Sequence, residues 1–144
     1  MNKNRLLIVI GFVFFFTTII YLSNLKRIYA QECRIVKLHG RTGYPSLNIE
    51  PSTIFLSKGD CVVWFNGITE GEVKVNIADG KKCALVTNAA SGFCLDELAN
   101  CYVTKWIGFE GTASLRFMEK GTYKYVVEEN SVPWVQEEGW VEVE

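Results

Sequence analysis

The sequence predicts an all-β domain, an antiparallel β-sandwich with a short helical insertion, behind one N-terminal transmembrane helix. Three observations predict it. From residue 32 onward, apolar residues alternate with polar ones in short runs, the period of half-buried strands. Turn formers (Gly, Pro, Asn, Asp) separate about seven such runs at close spacing, as in a sandwich. Residues 6–25, LLIVIGFVFFFTTIIYLSNL, are 20 positions without a charge.

That apolar segment, from Leu6 to Leu25, spans roughly 30 Å as a helix, the thickness of a bilayer core. An uncleaved anchor and a cleaved signal peptide both fit. The anchor is favoured, because the apolar run is long, Lys26 and Arg27 follow it, and Ile28 is too large for a cleavage site. The expected organisation is 1–30 as membrane anchor and stem, and 31–144 as the sandwich domain. Lys3, Arg5, Lys26 and Arg27 precede Glu32, the first acidic residue. The remainder carries 11 basic and 16 acidic residues, about −5. A mildly acidic domain of this kind excludes nucleic acid as a partner, since phosphate binding needs a basic face.

In order, residues 32–38 (ECRIVKL) predict a first strand and 39–45 a loop with Gly40, Gly43 and Pro45. Residues 47–51 lead into a second strand over 53–56, and 57–60 form a tight turn. Residues 61–65 form a third strand, with Val62 and Trp64 on one face and Cys61, Val63 and Phe65 on the other. A fourth covers 73–77, ending at an Asp79–Gly80 turn. Residues 91–100, from Ser91 or Gly92 to Asn100, predict the short helix. Strands resume over 112–117, then over 121–127 after a turn. A loop, 128–139, leads to the last strand, 140–143. Trp64, Phe117, Tyr123 and Tyr125 are core residues by this pattern.

Three groups of residues fall in a telling order. The first is Pro51, Thr53, Ile54, Leu56, Lys58, Gly59, Asp60, Val62, Trp64 and Asn66. The second is Ala113, Leu115 and Phe117, running into Gly121, Thr122, Tyr123 and Tyr125. The third is Gly139, Val141 and Val143. Over residues 33–144 the chain resembles the cupredoxin family, the plastocyanin-like and azurin-like domains. The resemblance implies a Greek-key β-sandwich, an extracytoplasmic location and a type 1 copper site of two His, a Cys thiolate and an axial Met. Laid on this chain, those ligand positions read Glu72, Val127, Asn130 and Val135, and none supplies the family's ligand. The single histidine, His39, lies upstream, and Met118 precedes the strand it would have to follow. The expectation is a cupredoxin-like domain without the type 1 ligands and without a cofactor.

Of five cysteines, Cys83, Cys94 and Cys101 cluster in the insertion. One reading is a disulfide between Cys83 and Cys101, with Cys94 the odd thiol; a metal site or free thiols are the alternatives, because spacing does not fix connectivity. A thiolate set of all three, carrying copper as a carrier or electron-transfer site, is the alternative function. Cys61 reads as a small buried hydrophobe and Cys33 as a candidate for pairing between chains. His39 reads as a loop residue with no evident catalytic partner, and no metalloprotease, nucleophile-elbow, phosphate-loop or dinucleotide motif occurs. No enzyme activity is expected. Glu128, Glu129, Glu137 and Glu138 flank Pro133 and Trp134, either as a solvated loop or as an acidic rim around an aromatic anchor.

The expected function is binding of a protein partner in the envelope by a membrane-anchored domain, periplasmic or at the cell surface, accessory to a redox or metal-handling system. Glu128, Glu129, Asn130, Pro133 and Trp134 are the interaction residues on this reading, together with the loop over 66–72.

Overall fold

A computed structural model describes residues 31–40, 47–78, 83–130 and 135–144, and Gln31–Glu144 forms one compact unit. The anchor segment, 6–25, and the Asp79–Gly80 turn lie outside the described residues. Among the described residues no helix is long and apolar enough to cross a membrane.

Among the described residues, eleven strands and one helical turn follow one another: β1 (Cys33–Gly40), β2 (Leu47–Glu50), β3 (Thr53–Leu56), β4 (Cys61–Asn66), β5 (Val73–Ile77), α1 (Cys83–Val86), β6 (Thr87–Ser91), β7 (Phe93–Asp96), β8 (Cys101–Thr104), β9 (Thr112–Phe117), β10 (Gly121–Glu129) and β11 (Gln136–Val143). They form two sheets, ordered β2-β1-β4-β9-β6 and β3-β11-β10-β5-β8-β7. The pairing is mixed: β1 lies parallel to β4, and β3 parallel to β11. A purely antiparallel sandwich is thereby corrected. Alternation reports that a strand is half-buried but not the direction of its neighbour.

The helix expected over 91–100 is corrected too. Those residues form the last position of β6, a bend at Gly92, β7 and the turn that leads into β8, and the helical turn lies earlier, at Cys83–Val86. Gly92 has φ +74°, and a Cβ there would meet the Ala113 Cβ at 2.9 Å, so the chain kinks tightly against β9. The Asp96 carboxylate accepts hydrogen bonds from the Leu98 and Ala99 N–H groups, and Asn100 adopts φ 51°. An Asx turn of this kind favours a hairpin over a helix. Leu98, in the turn, is 99% exposed.

Trp64 sits at the centre of the core. It meets Phe93 and Tyr125 edge-on at 5.3 Å each, while Phe117 packs on Tyr123 at 5.0 Å. Tyr125 and Gly139 are paired across β10 and β11, and the Tyr125 ring occupies the space where a side chain at 139 would go. Among the described residues the Trp64 Nε1 and the Tyr125 hydroxyl complete no hydrogen bond of good geometry. Burial raises the Tyr125 phenol above its usual range, and the adjacent Trp64 Nε1 offsets this in part. The neutral phenol is therefore the form the fold holds. Its stabilisation is full below about pH 10, where the unfolded phenol is also neutral, and is lost as pH rises beyond. In an alkaline titration the tyrosinate absorbance of Tyr125 is expected to appear together with unfolding. Ionisation of all six tyrosines in a chain that keeps its native circular dichroism would contradict that burial.

Two disulfides fasten the strands. Cys33 and Cys61 are bonded, at positions that are Cα partners across β1 and β4, 4.4 Å apart. This corrects the reading of Cys61 as a lone buried hydrophobe and of Cys33 as an intermolecular cysteine. Only the parallel docking of β1 on β4 brings together two residues 28 apart in sequence. Cys83 and Cys101 are also bonded, tying α1 to β8. Loops of these sizes contribute roughly 3–4 kcal/mol each in the chain-entropy picture.

Candidate functional site: the loop end of the sandwich

β4 ends at Asn66, β5 begins at Val73 and β10 ends at Glu129, so their connections gather at one end. Asn66 is fully buried and organises that end. Its Nδ2 donates to the Gly71 carbonyl at 3.0 Å and to the Ile107 carbonyl at 2.8 Å, and its Oδ1 accepts from the Ile68 N–H at 2.9 Å. Its backbone bonds Gly111 and Glu110. Ile107 in turn pairs with Val73 as an isolated bridge. One amide thus fastens the 66–72 loop to the 105–111 loop.

Glu72 and Asn130 close the same end. The Asn130 Oδ1 accepts from the Glu72 N–H at 2.9 Å, its Nδ2 donates to the Glu72 Oε2 at 2.8 Å, and its N–H donates to the Glu72 carbonyl at 3.0 Å. The Glu129 side chain lies over Gly71, where a Cβ would come within 2.7 Å of its Oε1. Glu128 accepts from Asn76 at 2.9 Å and from Gln136 at 3.4 Å.

A copper ion of the kind the sequence resemblance implies does not fit these residues. Two of the four ligand positions, Glu72 and Asn130, are spent on each other. A third, Val127, is fully buried in the core, and the fourth, Val135, packs against that core; neither carries a donor atom. His39 faces Glu50, 4.0 Å from its carboxylate, on the pair of strands β1 and β2. Cys83 and Cys101 are bonded to each other, so they are not thiolate ligands in this state, and Cys94 is free and exposed. Among the described residues no three His, Cys, Asp or Glu side chains converge as a metal site.

Of the interaction residues named from sequence, Glu128, Glu129 and Asn130 stand at this end, and Pro133 and Trp134 lie outside the described residues. Sequence reasoning missed the 105–111 loop. Trp106 and Phe109 project there, 46% and 49% exposed, on either side of the buried Ile107. The signal was the run Trp106-Ile107-Gly108-Phe109, apolar yet bounded by Lys105 and Glu110 and outside any alternating strand. Glu70, Glu72 and Glu110 are exposed on the same loops, with Lys105 the one cation among the described residues of 105–111.

The class defined by this fold and site is a two-sheet, mixed β-sandwich with two disulfides, whose loop end is closed by protein hydrogen bonds. No protein-family model matches the chain, and no curated protein matches it. Among solved structures it is similar to a reduced Cu(I) form, at pH 4, of an amicyanin variant, at 21% identity over 81% of this chain and 87% of that one, with TM-score 0.46. A second reduced amicyanin variant gives 20% identity over the same shares and TM-score 0.47. An oxidised variant gives 20% identity over 77% and 81%, with TM-score 0.43.

Proposed function

We propose that this chain is a membrane-anchored, extracytoplasmic, cupredoxin-like domain that docks a protein partner in the envelope through its loop end, without a type 1 copper site. Trp106 and Phe109 carry this reading. They are two large aromatics, half exposed, on a loop that the buried Asn66 amide holds rigid. Aromatic anchors on a pre-organised frame lose little entropy on binding. Glu70, Glu72 and Glu110 give them an acidic rim, which calls for a partner with a basic surface and an affinity that falls with salt. The domain's role is accessory to a redox or metal-handling system, as a recognition module and not as the catalyst. The anchor is residues 6–25.

A photo-crosslinking residue placed at Trp106 or Phe109, in cells carrying the full chain, is expected to capture one protein. The same residue at Phe55, exposed on β3, is expected to capture none. Capture from Phe55 alone would move the docking surface elsewhere. With the partner in hand, Trp106→Ala and Phe109→Ala each weaken binding by about 1–2 kcal/mol, roughly tenfold, while leaving the melting temperature nearly unchanged. Location has its own test. A membrane-impermeant maleimide is expected to label the exposed Cys94 in intact cells. Labelling that requires opening the membrane would overturn the extracytoplasmic placement.

A further inference from the structure

The docking end makes no use of the cysteines around the β7–β8 hairpin. β7 and β8 pair with Cys94 opposite Val103 and Asp96 opposite Cys101. Cys94 and Cys101 are therefore diagonal neighbours on one face of a two-stranded ribbon, a relation that puts side chains within about 7–8 Å. The first is a free, exposed thiol, and the second is half of the bridge to Cys83. Cys101 is only 3% exposed, yet it lines an open cavity of about 400 Å³ together with Asn76, Asp96 and Val103. β7 is four residues long and outermost in its sheet, so its hydrogen bonds reach one neighbour only. A short edge strand is the kind of element that opens locally at low cost.

We propose that Cys94 is the entry thiol of the Cys83–Cys101 bridge, exchanging with it so that a buried disulfide is reached by dithiols from outside. The Cys94 thiolate attacks the Cys101 sulfur. The Cys94–Cys101 bond forms, the Cys83–Cys101 bond breaks, and Cys83 leaves as a thiolate that takes up the proton Cys94 gave up. No electrons are gained or lost in that step. An external dithiol then attacks the Cys94 sulfur, and Cys101 departs as a thiol. The second thiol of the reductant closes its own disulfide and frees Cys94. Two electrons and two protons have passed from the dithiol to Cys83 and Cys101. The substrate class is a dithiol, and in reverse a disulfide.

The test uses the folded chain. Native wild-type protein held at about pH 8.5, where ordinary thiols are half ionised, is quenched in acid, alkylated and mapped by peptide mass. The expected products are a Cys94–Cys101 linked pair and an equal amount of alkylated Cys83, with Cys33–Cys61 unchanged. The exposed, near-isosteric Cys94→Ser variant is then reduced with dithiothreitol under native conditions. Its Cys83–Cys101 bridge is expected to open about tenfold more slowly than in the wild type. A bridge that opens at the same rate in both, or alkylation of Cys94 alone with no linked pair, would overturn the proposal.

Discussion

Replacing Asn66 with alanine is expected to lower the unfolding free energy by about 3–5 kcal/mol. The variant strands three backbone groups, the carbonyls of Gly71 and Ile107 and the N–H of Ile68, in a place with no exposed surface at residue 66. Each buried group left unpaired costs about 1–3 kcal/mol, and the three share one side chain, so their losses come together. Urea denaturation measures the total. The aspartate variant separates the contributions: it keeps an acceptor for the Ile68 N–H but loses both donors, and an unpaired carboxylate is costlier to bury. Asn66→Asp is therefore expected to be no better tolerated than Asn66→Ala. The effect extends to binding. Hydrogen exchange should rise first at Ile68 and Glu110, and docking through Trp106 and Phe109 should weaken even where the fold survives. An alanine variant as stable as the wild type would remove Asn66 from the centre of this site.

Gly139→Ala is expected to cost about 3 kcal/mol or more, at or beyond the upper end of ordinary overpacking. A Cβ at 139 would lie 2.1 Å from the Tyr125 Cζ and 2.7 Å from its Cε1, well inside any van der Waals distance. The ring has little room to move, since its other side is held by Trp64 at 5.3 Å. Tyr125→Phe keeps Cζ and Cε1, so it should not rescue Gly139→Ala. Tyr125→Ala vacates the space and, although destabilising by itself, should make the added methyl nearly neutral. A double-mutant cycle on thermal unfolding reads this coupling, and additive effects at two paired residues would show that the ring is not what excludes the methyl.

Much of the frame was legible in the chain itself. Val62, Trp64, Leu115, Phe117, Tyr123 and Tyr125 fall at alternate positions of their strands and are all buried. Lys58, Gly59 and Asp60 form the turn they read as, with Gly59 at φ +95° and the Asp60 carboxylate accepting from the Ser57 N–H. β2 was less visible, because Leu47 and Ile49 are too few to set a period before Pro51. The β7–β8 hairpin was misread as a helix. Five apolar residues within a decapeptide satisfy either period loosely, and pairing of β8 with β5 decided the matter.

The sequence by itself determined that the domain is a β-sandwich, that Trp64 and Tyr125 belong to its core, and that no histidine or thiol stands where the cupredoxin resemblance would require one. Those are properties of local period and residue type, and they survive any arrangement of the sheets. Only the tertiary structure decided that Cys33 meets Cys61, that Glu72 and Asn130 bond each other, and that the 105–111 loop comes beside the 66–72 loop. These are contacts between residues 28, 58 and 41 apart. A sequence records each partner's chemistry, whereas strand order and direction decide which partners meet.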